Sequence, residues 1–277
     1  MAKTKTKKVV KATKTKKAAK ATKKIKKTVK KAVKKTVKKS LKKVEEKVVK
    51  PSKNAEISLQ ELLEAGCHFG HRKSKTHPKI KPYIYAVRNE ISIFDLAKTK
   101  EKILEAQKFI TDLTEKGKKI VFIGTKRQAR EIVKKAAKEV GMPFIVRRWL
   151  GGTITNWQEI RSNSVNKYKT LKSDWESGKF SKRTKREQAV FKRELGRLER
   201  LVGGLVDLDK IFDAIIVVDV KGDKVAVDEA RTAGIPIIGI VDSNCSPDLV
   251  DYPIPANDDA AKSIQLIIGE LAKAVKN

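Results

Sequence analysis

Lys119-Ile120-Val121-Phe122-Ile123-Gly124 is a short, uninterrupted apolar run closed by a glycine, and residues 126–140 behind it read as a helix stopped by Gly141. A strand made only of Ile, Val and Phe is buried on both faces, as a central strand of a parallel sheet must be. The same pattern recurs toward the C-terminus. Residues 144–146, 214–218 and 236–241 read as strands, 223–233 as a helix, 252–255 as a short last strand and 258–275 as a closing helix. Toward the N-terminus, 97–116 is helical, with Leu104, Ile110 and Leu113 among its core positions and Gly117 as its stop. Residues 83–87 and 91–94 are short strands around Arg88-Asn89-Glu90. Ser58 opens a short helix through Glu64, with Glu61 completing a capping box. Alternating strands and helices imply a sheet covered on both sides. The predicted fold class is α/β, a Rossmann-like three-layer sandwich with a mainly parallel sheet.

The stretch from about 153 to 205 is too long for an ordinary crossover. Trp157, Ile160, Tyr168, Leu171 and Trp175 suggest one helical arm. Phe191, Leu195, Leu198 and Val202, spaced four, three and four, suggest a second. With Gly178 at the bend, the segment predicts an inserted, protruding α-helical coiled-coil hairpin. The globular part therefore runs over 55–277 with this insertion in it.

Charge divides the chain unevenly. Of the net +33, residues 1–54 hold 24 lysines and two glutamates, leaving 41 basic and 30 acidic side chains for the rest. Low hydrophobicity with high charge predicts a disordered tail. Yet Ile25, Val29, Val33, Val37, Leu41, Val44 and Val48 recur at helical spacing, so phosphates that remove the lysine repulsion would let the tail fold as a helix on RNA. A surplus of this size calls for a polyanion, and nucleic acid comes first because each phosphate contact releases counterions. No apolar run approaches the ~20 residues that span a bilayer, and the N-terminus has no hydrophobic signal core. A cytoplasmic location and no membrane partner are expected. Cys67 and Cys245 cannot make a disulfide framework and read as small buried hydrophobes.

Sheets of this kind bind nucleotides beyond the carboxyl ends of their strands. The turn Gly124-Thr125-Lys126-Arg127-Gln128 has neither the G-x-G-x-x-G spacing nor a P-loop. Asp219 and Asp242 stand at strand ends, where turn or cap roles are their ordinary explanation. Cys67, His68 and His71 are too closely spaced for a recognised zinc arrangement, so neither metal nor cofactor is expected. Cations predominate instead. Arg72, Lys73, Lys75, Lys79 and Lys81 lie in a proline-containing loop, with Arg88 close by; Lys126, Arg127 and Arg130 open one helix; Arg147, Arg148 and Trp149 end a strand; Arg161, Lys182, Arg183, Lys185 and Arg186 belong to the hairpin. Guanidinium groups match phosphate oxygens in paired geometry and a Trp can stack on a base. For Trp149 and Trp157, packing between hairpin and sheet explains the residue equally well.

Three motifs carry a family resemblance. Ala65-Gly66-Cys67-His68-Phe69-Gly70-His71 with Pro78-Lys79-Ile80-Lys81-Pro82-Tyr83-Ile84 is the first. Arg148-Trp149-Leu150-Gly151-Gly152-Thr153-Ile154-Thr155-Asn156-Trp157 is the second. Gly234-Ile235-Pro236, Val241-Asp242-Ser243-Asn244 and Pro255-Ala256-Asn257-Asp258-Asp259-Ala260 form the third. In this order they resemble the bacterial small-subunit ribosomal protein two family over about residues 57–275. The resemblance implies a non-enzymatic scaffold between head and body of the small subunit, bound to small-subunit ribosomal RNA. It also implies neighbouring small-subunit proteins as partners, a role in holding the large multi-domain ribosomal protein one, and no homo-oligomer. Thr76-His77 stands where the family usually has Trp-Asn, Ser246 replaces a frequent Asp, and the lysine tail is no part of the pattern. A Rossmann-type enzyme holding a nucleotide at Asp219 and Asp242, and a nucleoid-binding protein acting through the tail, are the competing readings.

Overall fold

A computed structural model describes residues 57–276, Asp209 and the Lys182 side chain aside. The tail reading for 1–54 falls outside the described residues.

The chain enters through α1 (Leu59–Glu64), whose Ser58 and Glu61 form the predicted capping box. Then β1 (Phe69–Arg72), β2 (Ile84–Arg88) and β3 (Ile91–Phe94) make an antiparallel sheet of order β1-β3-β2. The β2–β3 hairpin pairs Arg88 with Ile91, leaving a two-residue loop in which Asn89 and Glu90 have φ of 49° and 63°. Two left-handed residues give the turn whose twist suits a tight hairpin.

After α2 (Leu96–Glu115), capped by Asp95, the main sheet is laid down. Its strands are β4 (Ile120–Ile123), β5 (Phe144–Ile145), β6 (Ala214–Val217), β7 (Ile237–Val241) and β8 (Tyr252–Pro255). They are all parallel, in the order β5-β4-β6-β7-β8. Helices α3 (Arg130–Glu139) and, after the last strand, α8 (Ala261–Lys276) join α2 on one face. Ile120 and Phe122 point into that layer, with Ile103, Ile110, Val133, Ile264 and Ile268. Val121 and Ile123 point the other way, toward Trp149, Trp157, Val202, Ala226 and Val227. Alternate residues of one strand thus bury into two cores, which is why the strand is apolar throughout.

The insertion is helical, as predicted. Its first arm runs through α4 (Trp157–Ile160), one wider turn at Arg161–Asn166 and α5 (Lys167–Glu176). Gly178, at φ 73°, makes the bend. The return arm α6 (Lys185–Val202) opens with a Thr184–Glu187 capping box. Tyr168, Leu198 and Val202 are buried at the root, while Trp175, Phe180 and Phe191 form a small aromatic cluster near the tip. Helix α7 (Lys224–Ala233) lies in the same layer as the root.

The structure differs from the expectation in three respects. β1 falls where no strand is predicted, and the antiparallel sheet is separate from the parallel one. The helix predicted from 126 begins at Arg130, because residues 126–129 form a turn closed by Ala129 N–H to the Lys126 carbonyl. The basic loop after β1 folds as two short 3₁₀ turns, Lys73–Lys75 and Pro78–Tyr83. There the unusual Thr76 and His77 are both used: Thr76 Oγ1 pairs with Ser92 Oγ at 2.9 Å, and His77 Nδ1 accepts from Lys79 N–H.

Candidate nucleic-acid interface

Arg72, Lys73, Lys75, Lys81, Arg88, Arg127, Arg147, Arg148, Lys185 and Arg186 are exposed and carry no side-chain ion pair among the described residues. Lys79 is also exposed but paired with Asp248, and Arg183 with Glu187 at 3.4 Å. Both are surface pairs, worth little and easily exchanged for a phosphate. Arg161 is half-buried, and the Lys182 side chain falls outside the described residues.

Three predicted contacts sit differently. Lys126 is half-buried, with Nζ 2.8 Å from Asp258 Oδ1 and 2.6 Å from Asp259 Oδ1. Trp149 is buried, and its indole N–H donates to Glu229 Oε1 at 3.2 Å. Of the two roles open to Trp149, this geometry is that of packing. Arg130 is half-buried too, its Nε donating to the Thr125 carbonyl at 2.8 Å.

Glu229 escapes sequence reasoning. It holds the loop that follows β5: Gly152 N–H donates to Oε1 at 2.8 Å and Ile154 N–H to Oε2 at 3.1 Å. Gly152, at φ 86°, supplies the left-handed turn that aims both amides at one carboxylate. Because Arg147 and Arg148 enter that loop, one helix side chain fixes the base from which they project. Nothing in local spacing marks this, since Glu229 lies 80 positions from Trp149.

The crevice beyond the carboxyl ends of the strands is acidic rather than cationic. Asp219 follows β6 and accepts from Gly222 N–H at 2.7 Å, a turn role. Asp223 is buried and accepts from Thr125 Oγ1 at 2.9 Å, while its Oδ2 has no hydrogen-bond partner. Burial raises its carboxyl to about 6, with a further upward push from Asp219. Asp242, after β7, faces His71 Nδ1 at 3.0 Å and Asp259 lies 3.7 Å from the ring's other nitrogen. Burial likewise raises Asp258. His71, Asp242 and Asp259 each bring one ligand atom within 4.8 Å of the others, a donor set that suits a divalent cation. Each already has a protein partner, including Asn244 Nδ2 at 3.1 Å from His71 Nε2. Cys67 and His68 do not join this group: Cys67 is in the core with its thiol raised by burial, and burial lowers His68. Asp219, Asp223, Asp242, Asp258 and Asp259 outnumber Lys126, Arg127 and Lys221 in these turns, an excess that disfavours a nucleotide's phosphates where such sheets usually hold them.

The buried Asp223 gives a pH test. Folding raises its pKa above the unfolded value near 3.8, so its contribution to stability is complete below that value and is lost as pH rises to about 6. Asp223→Asn should reduce the loss of stability across this window by up to about 3 kcal/mol. Urea denaturation at a series of pH values measures it, and an unchanged pH slope would contradict the assignment.

A family model for ribosomal protein S2 matches residues 62–277. The chain is 45% identical over 221 residues to a protein of Coprothermobacter proteolyticus named small ribosomal subunit protein uS2, covering 80% of this chain and 82% of that one. It is 46% identical over 219 residues to the uS2 protein of Microcystis aeruginosa, covering 79% and 82%. It is 45% identical to the protein named uS2c of Rhodomonas salina, covering 80% and 90%.

Proposed function

Since the chain belongs to the ribosomal protein S2 family, we propose that it is a structural constituent of the small ribosomal subunit that binds small-subunit ribosomal RNA and catalyses no reaction. One observation supports this most directly. Exposed, unpaired cations stand on the loop after β1, at the end of β5 and on the hairpin, while aspartates gather in the crevice that would hold a nucleotide. Phosphates meet charge complementarity at the first surface and repulsion at the second. Arg72, Lys73, Lys75, Lys79, Lys81, Arg88, Arg147, Arg148, Lys185 and Arg186 are the contacts this reading assigns to RNA.

The site between head and body of the subunit belongs to the same reading. So does a neighbouring ribosomal protein, with the large multi-domain ribosomal protein one as the finer assignment. The antiparallel sheet leaves Phe69, Tyr85 and Val87 exposed, apolar area of the kind that a protein neighbour covers. No helix among the described residues is long and apolar enough to cross a membrane.

Sedimentation of lysate from cells expressing the tagged full chain tests the proposal. The protein should travel with small subunits and with whole ribosomes, and should leave them as salt is raised. Finding it at the top of the gradient at low salt would overturn the reading.

A further inference from the structure

At the root of the hairpin lies a cleft of about 370 Å³, walled by α3, the end of β5 and both hairpin arms. Arg130, Lys134 and Lys138 line it from α3, Arg147 from the strand end, Lys172 from α5 and Arg200 from α6. Glu131 and Glu199 are the only acidic side chains in the lining. Apart from Arg130, which donates to a backbone carbonyl, these cations have no ion pair or hydrogen bond among the described residues. Six positive groups converge here, five of them without partners, and they repel one another; a polyanion removes that cost.

The arrangement is elongated. Residues 130, 134 and 138 stand one above another on α3, a row spanning about 12 Å at 1.5 Å per residue. Lys172 and Arg200 face the row from the hairpin. A lone phosphate would engage two or three of these groups, whereas a strand of phosphodiesters engages the whole row. The walls are also held in place: Gly204, just past α6, lies so close to β5 that an added Cβ would stand 2.2 Å from the Phe144 carbonyl oxygen. The cleft is therefore built before any ligand arrives.

We propose that this cleft seats a stretch of ribosomal RNA backbone, so that RNA bridges the hairpin root to the sheet. The inference rests on the RNA-binding reading above and adds to it a site made by Lys134, Lys138, Lys172 and Arg200, none of which stands out in the sequence.

The test uses the full chain, so that the lysine tail is common to every variant, and measures affinity for purified small-subunit ribosomal RNA across a salt series. Lys134→Gln with Lys138→Gln should lower the slope of log affinity against log salt by about 1.5, at 0.7–0.9 per lost contact. Lys108→Gln with Lys262→Gln, on exposed positions of α2 and α8 outside the cleft lining, should leave it unchanged. Glu199→Gln should raise affinity by up to about fivefold, a gain that misfolding cannot imitate. Binding by the unmodified chain together with cleft variants that behave like the control pair would overturn the cleft and leave the RNA-binding reading intact. Failure of the unmodified chain to prefer this RNA over duplex DNA would instead remove the reading beneath it. Stoichiometric capture of free ATP, abolished by the cleft substitutions, would make the cleft a nucleotide pocket and overturn the inference.

Discussion

Glu229→Ala is expected to destabilise the protein by about 4 kcal/mol and to loosen the loop that carries Arg147 and Arg148. The carboxylate accepts three hydrogen bonds, from Trp149 Nε1 and from the amides of Gly152 and Ile154. Hydrogen bonds to a charged group each contribute about 1.5–3 kcal/mol, and a buried donor left unmade costs about 1–3 kcal/mol. Water reaches part of the gap, because Glu229 is itself half-buried, so the full sum is not expected. Trp149 and Ile154 are buried and cannot turn their groups to solvent without opening the core. Glu229→Gln keeps Oε1 as an acceptor but sets an amide N–H against the Ile154 N–H, and should cost about half as much. Urea denaturation measures both values, and tryptophan emission should shift red in the alanine variant. A change below about 1 kcal/mol for Glu229→Ala would mean that the loop is held by something other than this carboxylate.

The parts of the fold that local composition determines are legible in the sequence. Residues 120–123, 214–217 and 237–241 are buried in every position, so their unbroken runs without a polar side chain, rich in Ile and Val, mark central strands directly. The helical repeat of Phe191, Leu195, Leu198 and Val202 likewise marks the return arm of the hairpin. β1 is not legible, because Phe69-Gly70-His71-Arg72 is half-exposed and has no apolar alternation. The register of that strand is secured by tertiary bonds instead. Gly70 packs so closely against Ser243 that an added Cβ would stand 2.9 Å from its hydroxyl, and His71 N–H donates to the same oxygen at 2.7 Å.

The site divides on the same principle. Exposed cations can be found by composition, and the loop after β1 is an example. Their partners cannot, because pairing is a property of the folded chain. Lys126 reads as one more RNA-facing lysine until the fold brings Asp258, 132 positions away, to within 2.8 Å of it. The cleft at the hairpin root assembles cations from residues 130 to 200, and no window of sequence contains them together. Physical reading of a chain like this one therefore recovers the sign of a surface before its focus.

Gly204→Ala should be nearly as damaging as Glu229→Ala, at about 3–4 kcal/mol, although it adds one methyl group. An alanine Cβ would stand 2.2 Å from the Phe144 carbonyl oxygen and 2.8 Å from two carbons of its ring. The ring can rotate, but the carbonyl belongs to the backbone of β5 and cannot retreat without disturbing the two-residue strand. The root must move outward instead, losing the bond from Phe144 N–H to the Gly204 carbonyl at 3.2 Å. Overpacking of this kind costs about 1–3 kcal/mol, and a hydrogen bond adds about 0.5–1.5 kcal/mol. Moving the root also widens the cleft, so RNA affinity should fall although every cation remains. Gly196→Ala separates this effect from a general one. Gly196 lies within α6 with nothing in the way of a Cβ, so alanine there should stabilise the helix by about 0.5–1 kcal/mol and leave RNA binding unchanged. Denaturation midpoints of the two variants should therefore move in opposite directions, and a midpoint for Gly204→Ala that does not fall would show that the hairpin root is not clamped to the sheet at Gly204.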